Sequence, residues 1–353
     1  MKIKELQEKL REENLEAFLA TENAQYLSET RVASAVLVTE ENSLLLCNRL
    51  NFDRAKKESL IEDTRAFTNS KTPLREGEEV LFGKFHEIIS DILRKQNVTR
   101  IGFDRLKSDT LKKIREKYEA DYTGNPKLMW NLRKMKTKEE IEMIRKSGEI
   151  ASKGMKKAAE LIEPGRTELE IAAEIEYEMR NLGSEGTAFD TILASGKNSL
   201  FPHIEPTDRK LKEKELVIVD LGAQWKGYKS DMTRTFAISP NSQQKKLLEI
   251  TKKAQKATLN KVKSGVKAKE IDEAARKVFR KENYEKFYLH GAGHGVGLNI
   301  HEPPNLNPSS EDTLKENMII TVEPGIYIPD QGGGRFEDTI VVKNDGYEKL
   351  TSI

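Results

Sequence analysis

The segment LVIVDLGAQWKGYKSDMTRTFAI, residues 216 to 238, constrains the chain more than any other, because it sets two acids inside runs that otherwise read as buried β-strand. The apolar residues flank a turn near Trp225-Lys226-Gly227, which predicts a hairpin. Asp220 and Asp231 are equidistant from the centre of that turn, so a symmetric antiparallel pairing sets them opposite each other. Directly opposed Cβ atoms lie about 4.5–5.5 Å apart, and like charges there destabilise the pair. A divalent cation between them would offset that cost. The other reading shifts the register, so that the two acids reach solvent on separate faces.

A second acidic pair bears on this choice. NMIITVEPGIYIP (317 to 329) reads as an apolar strand with Glu323 embedded in it, and GGGRFEDTIVV (332 to 342) as another carrying Glu337. Acids inside apolar strands are costly to bury unless they are paired or bind a metal. HGAGHGVGLNIHEPP (290 to 304) adds three of the chain's five histidines, His290, His294 and His301, among glycines and prolines. Four carboxylates and an imidazole form an oxygen-rich donor set suited to Mn²⁺, Co²⁺, Fe²⁺ or a catalytic Zn²⁺ pair. Two such ions about 3.5–4 Å apart can share and acidify a water. Other chemistries lack their signatures: HEPPN breaks the His-Glu-x-x-His zinc helix, and no Gly-x-Ser-x-Gly elbow, P-loop or dinucleotide fingerprint is present.

At 353 residues, two domains are expected. Sixty Lys and Arg against 58 Asp and Glu leave a charge of +2, which argues against a nucleic-acid binder. Cys47 is alone, so no intramolecular disulfide can form, and a reducing compartment is expected. MKIKELQEKLREEN has no apolar signal region, and no run of about 18 uncharged apolar residues occurs. A cytoplasmic protein without membrane contact is expected.

Residues 1–125 read as a small α/β domain. Ile3, Leu6 and Leu10 mark one helical face, ASAVLVT and SLLLC are strands, and helices are predicted around FGKFHEIISDILRKQ and SDTLKKIREKY on either side of a RIGFD strand. His86, on the first of these helices, has no partners in sequence and is read as structural. Thr-Gly-Asn-Pro at 123 to 126 is the strongest punctuation and sets the expected boundary. Residues 126–353 begin with two helices, the first opened by a Thr137/Glu140 capping box and the second stopped at Gly183. PGRTELEIAAE (164 to 174) recurs as SGVKAKEIDEA (264 to 274), with Gly, Glu and Ile matching at an offset of 100. The echo suggests a duplicated helix-helix-strand unit.

These segments resemble a known family, the pita-bread metallopeptidases, which include Xaa-Pro dipeptidase (prolidase), aminopeptidase P, methionine aminopeptidase and creatinase. ASGKNSLFPH, VIVDLGAQWKGYKSDMTRTF, HGAGHGVGLNIHEPP, ITVEPGIYI and GGGRFEDT are similar to the family's motifs in order and spacing, over residues 126 to 353. NAQYLSETRVASAVLVTEENSLLL resembles, more weakly, the extra N-terminal domain of the proline-specific members; YLSETRVAS departs from that domain's usual Thr-Gly-Phe-like turn. The resemblance implies an α+β chain: a C-terminal pita-bread catalytic domain, with duplicated helix-helix-strand units, and a smaller N-terminal α/β domain.

It also implies roles. The five metal ligands fall on Asp220, Asp231, His294, Glu323 and Glu337, and would hold two divalent ions per chain, Mn²⁺ or Co²⁺ ahead of Zn²⁺ or Fe²⁺. His203 and His301 fall on active-site histidines, and Glu323 doubles as the proton acceptor. His290 and Arg335 fall on the substrate side; a structural hydrogen bond competes for His290, and a ligand carboxylate competes for Arg335. Thr233 shares a strand face with Asp231 and could orient it. The implied activity is hydrolysis of the Xaa-Pro bond in small peptides with proline second, by a homodimer. Dipeptidase is favoured, aminopeptidase P is the alternative, and a binding or scaffold protein of the same fold is the non-enzymatic rival.

Overall fold

The computed structural model describes residues 2–353, which form two compact units, 2–133 and 134–353. In the first unit, seven strands pair in the order Val80–Phe82, Thr64–Thr68, Ser43–Asn48, Ala33–Thr39, Ala17–Ala20, Arg100–Phe103 and Asp121–Gly124. The helices Phe85–Gln96 and Ser108–Lys117 bury Ile89, Leu93 and Ile114 in one core with Leu19, Leu37 and Leu46 of the sheet. The helix Lys2–Glu12 buries Leu6 and Leu10, while Ile3 is only half-buried. Four of the seven strands, at 17, 64, 80 and 121, did not stand out in the sequence; each has three to five residues, too few for alternation to register.

The first unit ends at Arg133, eight residues beyond the break expected after Asn125. Pro126 opens the helix Pro126–Lys134, where its missing N–H costs nothing. That helix buries Leu128, Met129 and Leu132, and Arg133 donates to Asn23 Oδ1 at 2.7 Å, so it completes the first unit.

The second unit is built twice on one plan. Lys138–Leu161 and Glu168–Asn181 precede a three-stranded sheet, in the order Met232–Ile238, Glu215–Leu221, Ile192–Ser195. The capping box of Thr137 and Glu140 is formed as expected. Ser242–Leu259 and Ala268–Lys281 precede a five-stranded sheet, in the order Glu302–Leu306, Gly293–Gly295, Ile319–Val322, Asp338–Lys343, Gly346–Lys349. The offset of 100 persists in local geometry. Gly165 and Gly265 both have positive φ, and donate to the carbonyls of Leu211 (2.9 Å) and Leu314 (2.8 Å). The second helix of each pair ends on a left-handed residue, Gly183 or Asn283, bonded to the carbonyl of Arg180 or Arg280.

Two sequence expectations about strands are corrected. The first hairpin turns on Lys226 and Gly227, both at positive φ as a type I′ turn requires, with Trp225 paired to Tyr228. Its centre is one residue later than the symmetric placement about the acids. Asp220 therefore faces Thr233 instead of Asp231. A shift of two partners keeps the side-chain parity, so both acids stay on one face.

The runs carrying the glutamates are each two strands and not one. Ile319–Val322 and Gly325–Ile328 are separated at Glu323-Pro324, and Gly332–Arg335 and Asp338–Lys343 at Phe336-Glu337. Pro324 cannot donate to a ladder, which accounts for the first break. Val322 pairs with Asp338 and Gly325 with Arg335, so the intervening Glu323 and Glu337 stand opposite each other at the break.

Candidate metal centre

These breaks gather the acids around one imidazole. His294 sits in the short strand Gly293–Gly295, and its N–H donates to Thr321 Oγ1 at 3.1 Å. Gly293 permits that approach: with φ at +153°, a Cβ there would meet the Thr321 carbonyl oxygen at 2.2 Å. The Nδ1 of His294 lies 3.0 Å from the Gly295 carbonyl, which can only accept. The ring is therefore protonated on Nδ1 when neutral, and the Nε2 lone pair points at carboxylates. Glu323 Oε1 is 3.5 Å from Nε2 and Asp231 Oδ2 is 3.7 Å away. Burial lowers the His294 pKa and keeps the ring neutral.

Two of the carboxylates, Asp220 and Glu337, have one oxygen tied and one open. Arg335 donates through Nη2 to Asp220 Oδ2 at 2.5 Å, and Thr233 Oγ1 donates to Glu337 Oε2 at 2.6 Å. The peptide of Asp231 is bracketed by one hydroxyl: Thr339 Oγ1 accepts from its N–H (3.0 Å) and donates to its C=O (2.7 Å). Asp220 Oδ1, Asp231 Oδ1 and Glu337 Oε1 are buried with no hydrogen-bond partner. Such oxygens are rare in folded proteins, and their chemistry fits a site that binds a cation. Burial, then the neighbouring acids, push the Asp231 and Glu337 carboxyls well above their usual range. Glu323 is raised by burial, against the pull of His290 and Arg335.

Donor atoms of Asp231, His294 and Glu337 lie within 4.8 Å of one another, the spacing of a group that could hold a metal ion. The donors fit a divalent cation chemically. Three orphaned anionic oxygens and an imidazole lone pair repel one another when bare, and a cation reverses the sign of every one of these contacts. Oxygen dominance with one nitrogen suits a divalent cation and does not single out one metal.

Asp220, Asp231, His294, Glu323 and Glu337 line a cavity of about 800 Å³, and so do His203, His290, His301 and Arg335. His301 stands at the open side, its ring edge-on to His294 with centroids 4.4 Å apart. Partial burial, then the two neighbouring histidines, lower its pKa to about 4, so it is neutral at pH 7. His203 is exposed, in the loop after the short helix Gly196–Leu200.

The two positions expected on the substrate side are engaged by the protein itself. Beyond Asp220, Arg335 donates to Thr233 Oγ1 (3.1 Å) and to the Tyr327 hydroxyl (2.7 Å). Tyr327 in turn donates to His290 Nε2 (3.1 Å), whose Nδ1 is bonded to the Gly291 carbonyl (2.8 Å). Both ring nitrogens of His290 are thus occupied, as in the structural alternative. Sequence reasoning missed Tyr327 and Thr339. They lie four and two residues beyond a glutamate, each on the strand that leaves the break, and what they touch is set by tertiary packing.

The family profile described as "Metallopeptidase family M24" matches residues 142–344, and that of the "Creatinase/Prolidase N-terminal domain" matches residues 2–135. The chain is 39% identical to the Xaa-Pro dipeptidase of Pyrococcus furiosus over 334 residues, 93% of this chain and 90% of that protein. A solved structure of the Xaa-Pro dipeptidase from Bacillus anthracis superposes with a TM-score of 0.91 at 30% identity, covering 100% of this chain and 97% of the other. An X-Pro aminopeptidase from Thermotoga maritima gives 0.88 at 30% identity, with coverage of 99% and 97%. The architecture expected from sequence, a metallopeptidase domain preceded by a smaller α/β domain, is the one found. With both profiles matched and relatives aligned over nearly its whole length, this chain belongs to metallopeptidase family M24.

Proposed function

We propose that the protein is an Xaa-Pro dipeptidase, hydrolysing the bond before a C-terminal proline with two divalent ions per chain. The observation that carries this reading is a cavity that can take a small peptide, lined by His294 and by three acids that each keep a buried, unpartnered carboxylate oxygen. Relatives named Xaa-Pro dipeptidase support the choice of substrate. Asp220, Asp231, His294, Glu323 and Glu337 would hold the ions, with Mn²⁺ or Co²⁺ the favoured identity. When bound, the ions supply Lewis acidity and lower the pKa of water.

The chain's own residues would do the rest. A bond to proline is a tertiary amide without an N–H, so recognition has to use its carbonyl and its flanking groups. Glu323 takes the proton from the attacking water and returns it to the departing prolyl nitrogen. His301, neutral at pH 7, donates a ring N–H to the carbonyl oxygen as negative charge develops there. His203 holds the substrate from the opposite loop. Arg335 and Tyr327 keep Asp220 and His290 in place from behind. We further read the protein as a cytoplasmic homodimer, with the N-terminal unit as an accessory domain.

The likeness to an X-Pro aminopeptidase favours a second reading, removal of the first residue from longer Xaa-Pro peptides. One comparison decides. The Mn²⁺-loaded protein is expected to cleave Leu-Pro much faster than Leu-Pro-Gly, and to lose activity in chelator as the metal is removed. Faster tripeptide cleavage would assign the second reading. Turnover of metal-free protein, or none on either peptide after verified loading, would overturn both.

A further inference from the structure

Outside the cavity, the most unusual charge in the second unit is Glu168, the first residue of the helix Glu168–Asn181 and 0% exposed. Among the described residues no cation pairs with it. Its carboxylate instead takes five donors, all neutral. Oε1 accepts from the Ser195 N–H (2.8 Å) and hydroxyl (2.6 Å), and Oε2 from the Thr207 N–H (3.0 Å) and hydroxyl (2.6 Å). Asn198 Nδ2 reaches both oxygens at 3.2 and 3.1 Å. A carboxylate is expensive to bury and an apolar residue would be cheaper for stability alone, so its use calls for an explanation in what the donors share.

They share one loop. Ser195 and Thr207 are its two ends, and its outer part carries Phe201, Pro202 and His203 to the cavity. Packing cannot hold that outer part, because Phe201 is 56% exposed and His203 is exposed too. What fixes it is polar. Glu168 closes the base, Ser199 Oγ accepts from the Gly333 N–H (2.9 Å), and the Pro202 carbonyl accepts from Arg335 Nη1 (3.4 Å). Gly333 lets the loop lie against this strand, since a Cβ there would meet the Ser199 carbonyl at 2.1 Å. The base is the only one of these attachments that joins the two ends of the loop to each other.

We propose that Glu168 is a positioning residue: it clamps both ends of loop 195–207 and thereby sets where His203 stands in the cavity. The catalytic part of this proposal rests on the dipeptidase reading above, whereas the clamp itself does not. Removing a hydrogen bond to a buried charged group leaves donors unsatisfied and frees the segment they fixed.

The test combines kinetics with hydrogen–deuterium exchange on the metal-loaded protein. Glu168→Gln turns an acceptor into a donor facing donors. It is expected to speed exchange over residues 196–206 and to lower kcat/KM for Leu-Pro at least about tenfold, with bound metal unchanged. If Glu168 acts through His203, the double variant with His203→Ala is no worse than His203→Ala alone. An equal further loss in that background would reduce Glu168 to a general structural residue, and unchanged exchange would overturn the clamp. Should Glu168→Gln not fold, Thr207→Val removes one donor and Thr207→Ser restores it, with the same readings expected on a smaller scale. If the unaltered enzyme proves inactive on Leu-Pro, the dipeptidase reading fails, and the exchange result still decides the clamp.

Discussion

The two halves of the C-terminal unit, residues 138–238 and 242–349, repeat one plan and yet seat their acids by different means. In the first half, Asp220 and Asp231 lie diagonally on one hairpin, and the ladder opens between them. The Gly222 carbonyl turns away to accept from the Ala188 N–H (2.8 Å), while Asp231 takes its bonds from Thr339. In the second half, Glu323 and Glu337 stand directly opposed where two sheets part. The Glu323 N–H goes to the Ala292 carbonyl (2.8 Å) and the Glu337 N–H to the Thr233 carbonyl (3.0 Å). Three of the four acids therefore stand where a strand ladder is interrupted. Two of those interruptions are repaired from the other half, reciprocally: Thr339 of the second half holds Asp231, and Thr233 of the first half holds Glu337. Duplication supplied two similar scaffolds, and the centre was made by tying each to the other.

The strongest challenge to this comparison is to remove an acid. Asp231→Asn should cost more than about a thousandfold in metal-dependent hydrolysis, with the far-UV circular dichroism spectrum retained. In metal-free protein the same change should raise the melting temperature, because one of several crowded like charges is gone. Full activity would remove Asp231 from the site, and a lower metal-free melting temperature would contradict the crowding.

The reciprocal ties come next. Thr339→Val and Thr233→Val are each expected to weaken metal binding or activity by about 10–100-fold, as changes to groups that orient ligands do, and the serine variants should recover most of it. Isothermal titration with Mn²⁺ measures this directly. A loss at one position and none at the other would break the reciprocity.

The smallest effects test the repeat itself. Gly183→Ala forces a Cβ onto a residue at φ +97°, 3.0 Å from the Trp225 ring. It should lower stability in urea by about 1–2 kcal/mol. At the equivalent place in the second half, Asn283→Gly should change stability by less than about 0.5 kcal/mol, in the stabilising direction. A destabilising Asn283→Gly would mean that the two caps are not equivalent.

Much of the site could be read from the chain because lone charges in apolar runs, and a glycine-rich histidine cluster, are costly patterns that need a reason. The offset-100 echo was equally legible: Gly165 and Gly265 perform the same left-handed turn, so the same residue was kept. What misled was symmetry. Centring the first hairpin on the two aspartates placed the turn one residue early, and a local count cannot find the centre when Lys226 adopts positive φ without being glycine. Glu323 and Glu337 were found as acids but placed inside continuous strands, since the run of apolar residues continues across the break into a second sheet.

Sequence by itself determined which residue types could bind a metal, the division into a small α/β domain and a duplicated one, and the local stops and caps. These follow from charge, periodicity and backbone freedom, which act over a few residues. Only the tertiary structure decided the rest. It turned His294 so that Nε2 faces the acids, set Glu323 across from Glu337, and spent Arg335 and His290 on Asp220 and Tyr327. It also brought Thr339 to Asp231 and folded Glu168 under both ends of the His203 loop. The contacts of Thr339 with Asp231 and of Arg335 with Asp220 join residues more than a hundred positions apart, and those of Glu168 with Ser195 and Thr207 span 27 and 39. Their geometry depends on strand register and on the packing of one repeat against the other, and no short stretch of sequence encodes either.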